Sequence, residues 1–299
     1  MHLSIEPSKD NLNLTKIIRL LCNTKIRQPM NFEQIKTWLN QFDKGPEYTL
    51  ALLILRFLIY RTSDQLVSSL KQALKCATKN FTHSSHLLET HDWREILNGT
   101  VNESTLCFNF GPVQYEYTQP GTSGEIITRL LRNQIGITKS KLYYTSQCAK
   151  LKPFERYLLV DDGLYTGDQL AEFIRQKCSF MTSCSQTGIV VALAHVDGIK
   201  LFKDIYPDIP VFYGERITSK NCFEAISKEW IDDGIWPYTE ITPLEQYLEI
   251  VENKARFEKK MPLGYGNLGC LIAYDHGIPD DSLQLLWDKS DSWNPLIAR

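Results

Sequence analysis

The sequence of 299 residues lacks the marks of several large protein classes. Its eight cysteines never fall in the C-x-x-C spacing of zinc or redox sites. The formal net charge of −2 gives no broad basic footprint for non-specific nucleic-acid binding, although a local basic cleft is compatible with it. The sequence contains no internal repeat or low-complexity tract. Hydrophobic residues make up 43% of it and charged residues 23%. Such a composition is typical of a globular protein with a buried core.

Long hydrophobic runs and export signals are also lacking. The most apolar window, residues 48–60, contains Arg56 and is shorter than the ~20 residues that a membrane-spanning helix needs. The opening residues carry Glu6, Pro7 and Asp10 where an apolar export segment would stand. The sequence therefore predicts a cytoplasmic protein with reduced thiols and without a membrane segment. The apolar window is predicted to be a buried helix.

The first hundred residues are predicted to form a helical region. Asn31 can cap a helix whose apolar residues recur every three or four positions. The Gly-Pro pair at residues 45–46 separates this helix from the apolar one, and Ser63 stands at the start of a third. The polar residues 80–104 are predicted to be a loop-rich junction.

From about residue 105, strand-like and helix-like segments alternate along the chain. Strands are predicted at residues 106–110, 113–118, 142–146, 156–160, 187–196 and 210–213, and helices at residues 121–132, 168–177, 199–205, 223–231 and 243–259. Strands that are apolar on both faces are typical of a parallel sheet covered by helices. The predicted fold class is therefore α/β, a Rossmann-like parallel sheet. We divide the chain into a helical region at residues 1–100 and an α/β domain with a C-terminal cap at residues 101–299.

One predicted strand leads into an acidic pair, and a Thr-Gly follows. The stretch RYLLVDDGLYTGDQ places Asp161 and Asp162 after the strand, and residues 163–167 lead into a helix that begins near Asp168. Ligands of open parallel sheets bind at the carboxyl ends of the strands, and a helix N-terminus offers N–H groups to a phosphate. Carboxylates can accept hydrogen bonds from the hydroxyls of a ribose or hold a divalent cation. The other acidic pairs, at residues 232–233 and 280–281, have no Thr-Gly after them.

A second turn suited to an anion precedes the first in the chain. In QPGTSGEIITRLLR, a predicted helix opens with Gly121, Thr122, Ser123 and Gly124. By itself the pattern fits a plain capped turn as well as a phosphate site. The two arginines of this helix are predicted to lie too far along it to contact that phosphate.

The succession of strand, Asp-Asp, small loop, Thr-Gly and helix resembles the ligand-binding motif of type I phosphoribosyltransferases. The resemblance covers residues 157–169 and implies that Asp161 and Asp162 contact the ribose hydroxyls of 5-phosphoribosyl pyrophosphate. The residues that it assigns to the 5′-phosphate are Leu164, Tyr165, Thr166, Gly167, Asp168 and Gln169. It also implies that residues 121–124 contact the pyrophosphate and that Mg²⁺, held by the two aspartates, takes part. Gly163, Tyr165 and Gln169 depart from the common form of the family's motif.

The C-terminal segment and the N-terminal helices carry a second resemblance. Residues 263–299 are similar to a branch of phosphoribosyltransferase-like proteins associated with bacterial conflict and anti-phage defence, some encoded beside retrons. This implies a toxin or effector whose partner is a regulatory protein or a complex of retron reverse transcriptase and nucleic acid. Two interpretations of the segment stay open. It is either a turn-rich cap in which Trp287 and Trp293 pack on the core, or a hood over the acceptor base. The residues that the hood would place near the base are Tyr265, Asn267, Tyr274 and His276.

Two functions follow from these observations. The first is a pentosyltransferase, in which Mg²⁺ and backbone donors stabilise the leaving pyrophosphate while carboxylates stabilise positive charge on the sugar. The second is a non-catalytic nucleotide- or phosphoribose-binding module that signals to a partner, and the departures from the motif favour it. No general acid or base can be assigned from the sequence. His195, at the end of a long strand, could face the site, but a lone histidine at a strand end is more often structural, and that is the prediction.

Overall fold

The computed structural model describes residues 9–82, 85–101, 106–114, 122–150, 155–178, 181 and 186–297. The α-helices of these residues are α1 (Lys9–Asn23), α2 (Phe32–Leu39), α3 (Pro46–Phe57), α4 (Ser63–Phe81), α5 (Ser85–Thr90), α6 (Trp93–Asn98), α7 (Ser123–Leu130), α8 (Asp168–Lys177), α9 (Val196–Ile205), α10 (Phe223–Asp232), α11 (Pro243–Glu249) and α12 (Gln284–Trp287). The strands are β1 (Ile59–Arg61), β2 (Cys107–Pro112), β3 (Glu155–Leu164), β4 (Thr187–His195), β5 (Val211–Ile217) and β6 (Ile272–Tyr274).

The chain forms two compact units. The sheet unit comprises Asp64–Thr218, and the terminal unit comprises Met1–Ser63 together with Ser219–Arg299. The terminal unit is thus built from two separate stretches of chain, with the sheet unit between them in sequence. These limits differ from the sequence-based division at residue 100, which stays a prediction about domains.

The sheet unit is built on a four-stranded parallel sheet in the order β2-β3-β4-β5. Val160 of β3 pairs with Val190 of β4, which in turn pairs with Phe212 of β5. Every residue of β4 is buried, as expected for a strand with neighbours on both sides and helices over both faces. The predicted α/β fold class with a parallel sheet is therefore confirmed.

Helix α8 closes one face of this sheet. Its apolar residues Leu170, Phe173 and Ile174 are buried in one cluster with Tyr157 and Leu159 of β3. These three positions of α8 recur at the three-to-four-residue spacing of a helix face, and the two strand positions are two apart. The packing fixes the start of α8 close to the carboxyl end of β3.

The predicted strand at residues 142–146 is wrong. Leu142 makes a single parallel bridge to Phe110, and the N–H of Tyr143 donates to the carbonyl of Phe110 at 2.8 Å. The chain then turns into a 3₁₀ segment, Thr145–Lys150, so the ladder cannot extend. Of the predicted strand at residues 113–118, the first two residues lie outside the strands and residues 115–118 lie outside the described residues.

Residues 80–104 contain helices where a loop-rich junction was predicted. Within the described part of this stretch, α5 and α6 are short helices. Helix α6 begins with a capping box, in which Asp92 accepts from the backbone N–H of Arg94 and the carboxylate of Glu95 accepts from the N–H of Asp92. This Asp-x-x-Glu pattern is visible in the sequence and is the signal that the loop prediction missed.

In the terminal unit, the predicted helices of the N-terminal stretch are confirmed. The side chain of Asn31 accepts from the N–H of Gln34 at 2.9 Å and caps α2. Helix α3 is the buried apolar helix, with residues 50–55 fully enclosed. No helix in the described part of the chain is long and apolar enough to cross a membrane.

The C-terminal segment packs into the same core. Trp293 is 1% exposed and meets Trp38 and Phe42 edge-on, with ring centroids 6.3 Å and 5.1 Å away. Trp287 is partly buried and donates its indole N–H to the carbonyl of Ser282 at 2.9 Å. The predicted packing of both tryptophans on the core is thus confirmed.

A two-stranded parallel sheet joins the two stretches of the terminal unit. Strands β1 and β6 pair in register, Ile59 opposite Ile272 and Arg61 opposite Tyr274. Neither strand was predicted from the sequence. Each is three residues long, and the partners are far apart in the chain, so no local pattern marks them.

Candidate functional site

The acidic pair lies inside the last part of β3. The strand continues beyond both aspartates to Leu164, because β4 runs beside it and pairs Asp161 with Val191 and Leu164 with Ala194. The sequence had placed the acids just after the strand. Both carboxylate residues are half-buried, at the carboxyl edge of a parallel sheet where ligands of this fold class bind.

A hydrogen bond joins the first turn of α7 to the acidic pair in β3. The hydroxyl of Ser123, the first residue of α7, donates to Oδ1 of Asp161 at 2.8 Å. The same Oδ1 accepts from the backbone N–H of Asp162 at 3.0 Å. Because successive side chains of a strand point to opposite faces, Asp162 is directed away from the side on which Asp161 meets α7. The two carboxylates therefore have different surroundings.

The first turn of α7 lies against the end of β2. A Cβ added at Gly124 would stand 2.9 Å from Cβ of Pro112 and from the carbonyl oxygen of Val113, so a larger residue would push the helix away. Thr122 is the N-cap, yet its side chain makes no capping bond, and its buried hydroxyl has no hydrogen-bond partner among the described residues. Gly121, predicted to belong to this turn, lies outside the described residues.

The Thr-Gly loop is held between β3 and the first turn of α9. Gly167 has φ +88° at the N-cap of α8, a conformation that favours glycine. A Cβ at Gly167 would stand 2.8 Å from the carbonyl oxygen of Gly198, and a Cβ at Gly198 would stand 2.0 Å from the carbonyl oxygen of Tyr165. Two glycines thus let two backbone segments approach closely, and the loop position is set by that contact.

Gly163 and Tyr165, two departures from the family motif, form one complementary pair. The tyrosine is 6% exposed, and a Cβ at Gly163 would stand 2.5–2.7 Å from Cε2, Cζ and the hydroxyl oxygen of its side chain. The ring occupies the space that a larger residue at position 163 would need. The small residue at position 163 therefore makes room for the large side chain at position 165, and the backbone of the loop need not shift.

We expect Gly163→Ala to lower the free energy of unfolding by about 1–3 kcal/mol, because the added methyl group overlaps the Tyr165 ring. In a Tyr165→Ala background the same change is expected to cost much less. A double-mutant cycle by urea denaturation measures the difference. Equal costs in both backgrounds would contradict the pairing.

The other residues of the predicted phosphate loop have different exposures. Leu164 is 3% exposed, so that it and Tyr165 face the interior and could reach a ligand only through their backbone. Thr166 is half-buried, while Asp168 and Gln169 are exposed in the first turn of α8. A carboxylate there interacts favourably with the helix dipole, which accounts for Asp168 without a ligand.

His195 serves as a helix cap. It is 1% exposed at the end of β4, and its Nδ1 accepts from the backbone N–H of Asp197 at 3.2 Å. This contact orders the start of α9, next to Gly198. The structural role predicted from the sequence is thus confirmed.

The residues predicted for a hood belong to the terminal unit. Tyr265 and Asn267 lie on a short 3₁₀ turn, and the N–H of Tyr265 donates to the carbonyl of Asp280 at 2.6 Å. His276 stacks on Tyr274, with ring centroids 5.1 Å apart and an interplanar angle of 3°. Their proximity to an acceptor base stays a prediction.

Asp275 holds His276 and the start of α4 together. Its carboxylate accepts from the N–H and hydroxyl of Ser63 at 2.6 Å and 2.7 Å, and lies 3.3 Å from Nδ1 of His276. Burial favours the neutral carboxyl, but the bonds from His276 and Ser63 outweigh it and hold the pKa of Asp275 below its ordinary value.

The lowered pKa predicts a pH-dependent stability. Since the folded pKa lies below the unfolded value of about 3.9, the group stabilises the fold above about pH 4 and ceases to do so as the pH falls through the folded pKa. We expect Asp275→Asn to cost about 1–3 kcal/mol at neutral pH and to flatten the acid loss of stability in urea denaturation. Asp291→Asn, at an exposed position of the same unit, is the control. If Asp275→Asn lost stability in acid as steeply as the wild type does, the assigned role of Asp275 would be contradicted.

Within the residues that the structure describes, no three His, Cys, Asp or Glu side chains form a group able to hold a metal ion. A cation at the acidic pair would therefore need further ligands from a bound molecule. Mg²⁺ is commonly bound in this way, by one or two carboxylates together with substrate phosphates and water.

The parallel sheet, the acidic pair at its carboxyl edge and the Thr-Gly turn into a helix are features of a phosphoribosyltransferase-like protein. The family model PRTase-CE matches residues 35–299, and the chain belongs to this family. A search of curated proteins finds no match to the chain.

Proposed function

We propose that the protein transfers a phosphoribosyl group from 5-phosphoribosyl pyrophosphate, or a related phosphorylated ribose, to an acceptor, with Mg²⁺. The observation that carries this is the hydrogen bond from Ser123 to Asp161, which joins the first turn of α7 to the acidic pair. It places a turn suited to pyrophosphate directly beside the acidic pair, whose second carboxylate, Asp162, is suited to ribose hydroxyls.

The roles of the residues follow from their surroundings. Asp162, on the other face of the strand from the α7 contact, would bind ribose hydroxyls, and Asp161 would position the pyrophosphate turn while adding negative charge near the sugar. Backbone N–H groups at the start of α8, beside the half-buried Thr166, would bind the 5′-phosphate. The transition state carries positive charge on the sugar, which nearby carboxylates stabilise.

Mg²⁺ would be held by one carboxylate of the acidic pair together with phosphate oxygens of the substrate. The donor set fits, because hard oxygen ligands are those that Mg²⁺ prefers. When bound, the ion would neutralise charge on the leaving pyrophosphate.

The test is release of pyrophosphate from 5-phosphoribosyl pyrophosphate by the purified protein, with Mg²⁺ and with EDTA in its place. Pools of bases, nucleotides and RNA serve as acceptors, because no acceptor is assigned. We expect release that requires both Mg²⁺ and an acceptor pool. The absence of turnover with every pool would contradict the proposed enzyme.

One observation favours the second candidate, a binding module without catalysis. The carboxylate of Asp168 is exposed in the first turn of α8, where it would weaken the attraction of that helix for a phosphate. Saturable binding of the sugar phosphate in calorimetry, without pyrophosphate release, would support this candidate over the enzyme.

We also propose a cytoplasmic effector or toxin in anti-phage defence, restrained by a regulatory protein or a retron complex. The similarity of residues 263–299 to the conflict-associated branch supports it. Co-purification with the product of a neighbouring gene would test the partner, and growth arrest on expression would test the toxin.

A further inference from the structure

A cavity of about 680 Å³ lies beside α7 in the sheet unit. It is bounded by Pro112 at the end of β2, by the exposed side of α7 and the turn after it, and by residues 139–147. Pockets for small organic ligands have volumes of about 300–1,000 Å³, so a nucleotide would fit. The cavity is distinct from the acidic pair, none of whose residues lines it.

The lining is basic. Arg129, Arg132 and Lys139 all line the cavity with exposed side chains, and none of them has an ion pair among the described residues. Glu125 is the one acid among the lining residues, and it accepts a hydrogen bond from Gln114 at 2.8 Å. Three cations against one engaged carboxylate make the cavity attractive to an anion.

The two arginines are arranged to act on the same ligand. They are three residues apart in the chain, and both side chains line the same cavity. Arg132 belongs to the π-helical turn Leu131–Ile135 that continues α7, a rare form that is frequent at functional sites. Guanidinium groups bind phosphate oxygens with two parallel hydrogen bonds, which favours phosphate over a simple halide.

Two tyrosines also line the cavity. Tyr143 is tied to the sheet by its N–H bond to Phe110, and Tyr144 is 45% exposed, with its N–H donating to Oε1 of Gln147 at 3.0 Å. An exposed aromatic ring such as that of Tyr144, next to cations, is typical of sites that stack a nucleobase while binding its phosphate. A sugar phosphate without a base would leave this ring unused.

The cavity adjoins the turn assigned to pyrophosphate without being part of it. Pro112 and Glu125 line the cavity and flank Gly124, which packs on Pro112. The arginines line the cavity, whereas Thr122, Ser123 and Gly124 of the turn do not, so the arginines are available for a second phosphorylated molecule.

We propose that this cavity binds the acceptor, and that the acceptor is a phosphorylated nucleotide, either free or at the end of an RNA chain. The inference rests on the proposed function. In the transfer, a nucleophilic atom of the acceptor supplies the electron pair for the new bond to C1 of the ribose. The bond from C1 to pyrophosphate breaks, pyrophosphate leaves with that electron pair, and the proton of the acceptor passes to water.

The test measures binding of three probes to the full chain: AMP, adenosine, and a 5′-phosphorylated RNA decamer. The variant is Arg129→Gln with Arg132→Gln, and the matched control is Lys75→Gln with Lys79→Gln, two exposed lysines of α4 outside the cavity. We expect AMP or the decamer to bind the variant at least about tenfold more weakly than the wild type. The control is expected to bind as the wild type does, and adenosine is expected to show little difference. Tighter binding of the decamer than of AMP would assign the acceptor to RNA.

Binding of 5-phosphoribosyl pyrophosphate is measured on the same proteins and separates this inference from the proposed function. The arginine variant is expected to keep it. Equal affinity of the variant and the wild type for AMP and for the decamer overturns the inference, as does a wild type that binds neither. If nucleotide binding depends on the arginines but 5-phosphoribosyl pyrophosphate does not bind, the cavity stands as a nucleotide site and the proposed transferase fails.

Discussion

Replacing both Asp161 and Asp162 by asparagine is expected to lower pyrophosphate release by at least about a thousandfold. Loss of one preorganised electrostatic contact to a transition state costs about 10²–10³ in rate, and this change removes two. Asparagine has nearly the shape of aspartate and can still accept hydrogen bonds through its amide oxygen. The fold should therefore persist, and thermal unfolding of the variant checks that it does.

Single variants should separate the two carboxylates. Asp162→Asn is expected to weaken binding of 5-phosphoribosyl pyrophosphate while leaving the contact between Ser123 and Asp161 intact. Ser123→Ala tests the other carboxylate: it removes one hydrogen bond to Asp161, worth about 0.5–1.5 kcal/mol, and should lower activity by roughly tenfold or less. A double aspartate variant with wild-type release would remove the acidic pair from the proposed mechanism.

Gly198→Ala is expected to have the second-largest effect, through displacement of the Thr-Gly loop. The added methyl carbon would stand 2.0 Å from the carbonyl oxygen of Tyr165, a backbone atom that cannot rotate away. The first turn of α9 and the loop must separate, which we expect to cost about 3 kcal/mol of stability. Because the loop precedes α8, binding of 5-phosphoribosyl pyrophosphate should be lost as well.

Urea denaturation and calorimetry measure both effects of this change. Gly277→Ala is the control, since a Cβ there meets no atom within 4 Å. We expect the control to unfold within about 0.5 kcal/mol of the wild type, as most substitutions without steric conflict do. A Gly198→Ala protein that is as stable as this control and binds ligand normally would contradict the close approach of α9 to the loop.

The parallel sheet was predictable because its strands carry a strong local signal. In β4, a continuous apolar run has no polar face, as a strand buried on both sides requires. Helix α8 begins at Asp168, as predicted, because an amphipathic pattern follows directly on a glycine. Contacts made within a few residues of sequence are those that sequence patterns report.

Structure that depends on distant partners was not predictable. The β1–β6 pair joins Ile59 to Ile272. Each segment has only three residues, which is too short to show the alternating hydrophobic pattern of a strand. Conversely, Leu142 begins a β-like sequence, yet only its bridge to Phe110 forms before the chain turns. Tertiary context decided both cases.

The candidate site also has features that the local sequence predicts and features that depend on three-dimensional contacts. The order of Asp161, Asp162 and the Thr-Gly is local, and the sequence alone pointed to it. The complementarity of Gly163 with the ring of Tyr165 and the contact of Gly198 with the loop are steric relations in three dimensions. From the sequence, Gly163 and Tyr165 counted as two separate departures; in the folded protein they are one arrangement.

The terminal unit is built from two separate stretches of chain, and this affects how the protein folds during synthesis. Residues 64–218 are synthesised before the second stretch of the terminal unit, so the sheet unit can fold while half of the other core is still missing. Helices α2 and α3 must then wait for partners such as Trp293, with their apolar faces exposed to chaperones and proteases. A nascent chain stalled before residue 219 would thus carry the acidic pair and the phosphate loop on an otherwise unfinished protein, and quality control would act at that stage.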